Sequence, residues 1–191
     1  MVRTQLGFNL IEVMVALTVL GVLITLGAPS FGEWMQSQRV RASAEAILNG
    51  MQVARAEAIR QNLPIELGLE PPLSGWTVCP GSVKPCDSTT PAASVIQSKS
   101  AQEASGGARI AQTPGDVTLL TFSPLGALLA KNPADDSLPV TRVDVYYNDP
   151  ALCLAAGGTM RCLRVVVSGG GTVRMCDPTP TIVAPDPRAC P

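Results

Sequence analysis

The chain contains no histidine. That removes the side chain most often used as a general base near neutral pH, and the commonest metal ligand. Charged residues make up 15%, against about 25% in an average soluble domain. The formal net charge is −1, so no basic field over the whole chain calls for nucleic acid. No cysteine pair has C-x-x-C spacing, which argues against a zinc site or a thioredoxin-like redox centre. There is no nucleophile-elbow motif and no internal repeat. Gly169-Gly170-Gly171 leads into a strand-like segment without Lys-Ser/Thr, so it is not a phosphate loop. Asp135-Asp136 reads as an exposed turn. These absences leave no candidate catalytic residues; the expectation is a protein that is not an enzyme and takes no metal or cofactor.

What is present is concentrated at the two ends. Residues 8–28 form an apolar run worth about 31 Å as a helix, matching a hydrocarbon core of about 30 Å. No small-residue cleavage site of the secretory type follows it. Hydropathy alone reads as a signal anchor holding an exported domain. Glu12 does not fit that plain reading. A carboxylate at mid-bilayer costs about 2.5–3.5 kcal/mol, less near an end, and a residue retained there calls for a partner. Cleavage between Gly7 and Phe8 would expose an ammonium on Phe8 that a neighbouring copy's Glu12 could accept.

From residue 33 to 62 the pattern becomes amphipathic. Val40, Ala44, Ile47, Met51, Ala54 and Ala58 fall on one helical face. The charged residues Arg39, Arg41, Glu45, Arg55, Glu57 and Arg60 read as a solvated face. Asn62 is placed to cap the helix before Pro64. Gly and Pro, 17 of each, lie mostly beyond residue 63, which points to short strands and many turns. Strands are predicted at 65–69, 76–79, 117–122, 142–147, 163–168 and 172–176, the last two as a hairpin with a glycine turn. Residues 87–108, rich in Ser, Ala and Thr, read as a flexible excursion. Antiparallel sheet on a long helix is α+β.

Six cysteines, Cys79, Cys86, Cys153, Cys162, Cys176 and Cys190, behind an export-type N-terminus read as disulfides. Fifteen connectivities are open. Pairing neighbours would link Cys79–Cys86, Cys153–Cys162 and Cys176–Cys190, each closing a local loop.

Gly7-Phe8-Asn9-Leu10-Ile11-Glu12-Val13-Met14, the apolar run and Pro29 together resemble the class III signal of type IV pilins and type II secretion pseudopilins. Residues 54–62, with Pro64-Ile65-Glu66-Leu67, Gly75-Trp76-Thr77-Val78 and Thr121-Phe122-Ser123-Pro124-Leu125-Gly126, resemble the minor pilin branch typified by GspH, FimT and FimU. The resemblance implies a pilin-like fold, with a leader at 1–7, a membrane and assembly helix at 8–29, an amphipathic helix at 30–63 and a head at 64–191. It implies cleavage after Gly7 by a prepilin peptidase, N-methylation of Phe8, and assembly through Glu12 and Pro29 with other pilins or pseudopilins. The protein would begin in the inner membrane with a periplasmic head, then enter a fibre at its tip. The implied roles are a minor pilin of a type IV pilus, an H-type pseudopilin of type II secretion, or a DNA-capture pilin. A membrane-anchored domain that does not assemble is the plain alternative. For DNA the candidates are Arg161, Arg164, Arg174 and Arg188. The Gly-Arg-x-Arg pattern of DNA-binding relatives is incomplete here, because Gly171-Thr172-Val173-Arg174 supplies one arginine of the pair.

Overall fold

The computed structural model describes residues 9–81 and 86–191, without the side chains of 26–30, 104 and 105. Two compact units divide the chain, Met1–Met35 and Gln36–Pro191. Helix α1, Leu10–Gln61, contributes to both and includes position 29. Its C-terminus closes as expected: Asn62 adopts φ 53°, the left-handed conformation that ends helices, and Pro64 cannot continue it.

Among the described residues the head has eight strands: β1 Ile65–Glu70, β2 Gly75–Pro80, β3 Gln97–Lys99, β4 Ala108–Thr113, β5 Leu119–Phe122, β6 Arg142–Tyr147, β7 Leu163–Val167 and β8 Val173–Cys176. They form not one sheet but two, ordered β3-β2-β1-β5 and β4-β6-β7-β8. The pairings in both are antiparallel. The segment 139–141 stitches them together. Val140 N–H donates to Leu119 O, Thr141 N–H to Thr113 O, and Val167 N–H to Thr141 O.

One core serves the head. Val40, Ala44, Ile47, Met51, Ala54 and Ala58, the helical face marked by their spacing, are fully buried. They join Ile65, Leu67, Trp76, Val78 and Phe122 of the first sheet and Ile110, Val143, Val145 and Val165 of the second. Each large side chain so buried contributes about 1.5–3 kcal/mol. Gly50, the one glycine in this part of α1, is explained by close packing. A Cβ there would lie 2.8 Å from the Trp76 indole, so the ring rests directly on helix backbone.

The excursion expected over 87–108 is a folded segment. It holds β3, a helix α2 at Ala101–Ser105 and the start of β4. Ser100 caps α2 by accepting the Glu103 N–H, and its hydroxyl donates to the Glu103 carboxylate at 2.9 Å. This Ser-x-x-Glu capping box was visible in the sequence. The strand expected from 117 begins at Leu119.

Three disulfides join neighbours along the chain: Cys79–Cys86, Cys153–Cys162 and Cys176–Cys190. The last closes the Pro-rich tail, a constraint worth about 3 kcal/mol for a loop of this size in the chain-entropy picture.

Candidate functional site

Gly7 and Phe8 lie outside the described residues. Glu12 sits in the first turn of α1, where its N–H donates to Asn9 O at 3.0 Å. Its carboxylate is exposed and has no ion-pair partner among the described residues. Around it the helix is apolar on every side. Leu10, Ile11, Val13, Met14, Val15, Leu17, Val19 and Leu20 are each at least 46% exposed. Thr18 and Thr25 donate their hydroxyls to the carbonyls of Val15 and Val22, each at 2.8 Å. Both hydroxyls are thereby satisfied without water. Among the described residues no helix is long and apolar enough to cross a membrane. The described side chains of the apolar run stop at residue 25, about 22 Å from Leu10 at the usual helical rise.

The candidate arginines of the head are all engaged. Arg161 Nε donates to Asp177 at 2.6 Å, and Arg164 Nε to Asp144 at 2.6 Å. Arg188 forks onto Asp186 at 2.7 and 3.1 Å, and Arg174 donates to Ala189 O. Arg164 and Arg174 stand on the two arms of the β7–β8 hairpin. The register pairs Arg164 with Cys176 and Val166 with Arg174, so the two are diagonal neighbours two residues out of register. Their partners explain the arrangement. The returning tail bridges Asp177 to Ala189 and puts backbone carbonyls and carboxylates where the guanidinium groups point. Burial works to raise the Asp177 carboxyl, but hydrogen bonds from Thr179 and Arg161 outweigh it, and the net shift is downward. Arg188 holds Asp186 down to about 2.

Two helix arginines read as solvated surface in fact tie α1 to the head. Arg39 Nη1 donates to the Tyr147 hydroxyl at 3.2 Å and stacks on its ring, while Arg55 Nε donates to Gly126 O at 3.0 Å. Arg41–Glu45 and Arg60–Glu57 do lie on the surface, as expected.

A buried acid escaped sequence reasoning. Glu66 of β1 is fully buried; one oxygen accepts the Cys86 N–H at 2.6 Å and the other has no partner. Burial pushes its carboxyl up, against the Cys86 hydrogen bond, and the negative charge of Asp135 adds to the rise. Because the folded protein holds this proton more tightly than the unfolded chain, stability is greatest below pH 4.5 on this account. It falls as pH rises towards the folded pKa. Glu66→Gln is therefore expected to raise the urea midpoint at pH 7 and leave it nearly unchanged at pH 4. A midpoint lowered equally at both would show that the ionised form is the one the fold needs.

Residues 43–171 match the family model described as Type II transport protein GspH. The chain belongs to the GspH family. Its fold is the α+β arrangement of a long N-terminal helix on antiparallel sheet. Among solved structures it is similar to the type IV minor pilin FimU of Pseudomonas aeruginosa in two crystal forms. One is 17% identical, with a TM-score of 0.49, 74% of this chain and 91% of that chain covered. The other is 18% identical, with a TM-score of 0.46 and coverage of 71% and 90%. No curated protein matches the chain.

Proposed function

We propose that this GspH-family chain is a minor pilin, an assembly component of the priming and tip complex of a type IV pilus. The observation that carries this is a helical segment whose apolar side chains from Leu10 to Ile24 are exposed and whose Glu12 carboxylate has no ion-pair partner among the described residues, in a chain whose residues 43–171 match the GspH family. Water does not reward such a surface, whereas a bilayer and then a bundle of like helices both do. The precursor inserts in the inner membrane with its head in the periplasm. A prepilin peptidase cuts after Gly7 and methylates Phe8, and Glu12 of one copy then meets the Phe8 ammonium of the next. Three disulfides fit assembly on the oxidising side. A mass spectrum of the mature protein is expected to begin at methylated Phe8; a chain still beginning at Met1 in working cells overturns the reading.

The description of the matching family favours a second reading, an H-type pseudopilin of type II secretion. Deletion separates the two: loss of surface fibres supports the pilus, loss of a secreted enzyme with fibres intact supports the secretion machine.

The arginine pairing speaks against DNA capture. Phosphates would have to displace three carboxylates and a backbone carbonyl, and exposed guanidinium groups bind DNA only by salt-sensitive charge neutralisation. We expect gel shifts of the head to show no retardation at moderate salt, and Arg164→Ala and Arg174→Ala to change nothing. Retardation lost in either variant would restore the DNA reading.

A further inference from the structure

We propose that Phe31 and Trp34 form an aromatic anchor that seats the precursor in the outer headgroup boundary of the bilayer, fixing how far the N-terminal helix is drawn into the membrane before assembly. This rests on the membrane reading above.

Aromatic residues are only 4% of the chain, with two tryptophans. Trp76 is core, at 1% exposed; Trp34 is 56% exposed and Phe31 59%. Their rings lie one helical turn apart with centroids 5.7 Å from each other, tilted by 31°, and so present one continuous apolar surface. Among the described residues the Trp34 indole N–H has no acceptor, which leaves it for a lipid phosphate or ester oxygen.

The surroundings select the boundary over the two alternatives. Glu33 lies between the rings in sequence and is exposed, so hydrocarbon is a costly place for this turn. Open water is poor for two bare rings. The interface accepts both, which is why tryptophan collects there. Distance agrees. Trp34 lies about 33 Å along the helix from Glu12, so with Glu12 near one face the indole reaches the opposite one across a core of about 30 Å. The apolar run precedes the pair, and after Met35 comes the polar sequence Gln36-Ser37-Gln38-Arg39.

The test uses the full-length precursor in phosphatidylcholine–phosphatidylglycerol vesicles at high lipid excess. Flotation reports membrane association. Emission of the wild type minus that of Trp34→Phe isolates Trp34, since buried Trp76 is common to both. The expected result is flotation, with Trp34 emission quenched severalfold more by lipids brominated near the headgroup end of the chain than by lipids brominated deep. Floating protein whose Trp34 is quenched by aqueous acrylamide as in the denatured chain overturns the anchor alone. So does equal or stronger quenching by deep bromines, or shielding from both quenchers, which would mean that another copy covers the ring. Protein that does not float overturns the membrane reading and the anchor with it.

Discussion

Replacing Glu12 by alanine is expected to leave membrane insertion and leader cleavage intact while removing the protein from fibres. The substitution makes the helix more apolar, so insertion is not impaired. What it removes is the carboxylate that, in the proposed assembly, receives a neighbour's N-terminal ammonium. Removing one partner of a buried pair strands the other, at about 3–5 kcal/mol, so incorporation should fall by about a hundredfold or more. Immunoblots of sheared fibres and of membranes from the same cells give both readouts. Normal incorporation would show that the acid does not register the subunits.

Gly68→Ala should unfold the head far more readily than its small size suggests. A Cβ at position 68 would lie only 1.7 Å from the Cys86 carbonyl oxygen, so backbone must move. Cys86 is tied to Cys79 on β2, the strand beside β1, and its N–H serves the buried Glu66. The shift therefore disturbs the hydrogen bond from Cys86 N–H to the buried Glu66 carboxylate. We expect a loss of about 3 kcal/mol in urea unfolding of the head. Gly169→Ala is the control, since nothing lies within 4 Å of its added methyl; it should stay within about 0.5 kcal/mol of wild type. Equal losses in the two would refute the close approach.

Local signals in the sequence were sufficient for α1. The apolar face of Val40 to Ala58, the turn at Asn62 and the β7–β8 hairpin all depend on neighbours a few residues apart. What escaped depends on distant ones. Gln97-Ser98-Lys99 is too polar and short to read as a strand, and becomes β3 only because β2 offers its edge. β4 exists by pairing with β6, whose register sets Ala108 opposite Tyr147. The partners of the candidate arginines follow the same rule: Arg164 finds Asp144 because β6 and β7 place them opposite each other. Glu66 looked like an ordinary strand residue. Its side chain is buried and accepts the Cys86 N–H from twenty residues along the chain, a contact that no periodicity announces.

All three disulfides lie beyond residue 78, and none reaches α1. In the fibre proposed above, tension would enter each subunit through α1. It crosses into the sheets by side-chain packing, aided by the Arg39 and Arg55 contacts. The seam between helix and sheets carries no covalent cross-link. The protein should yield by sliding α1 out of its groove, while the cross-linked loops keep their shape and allow the helix to seat again once the force is released.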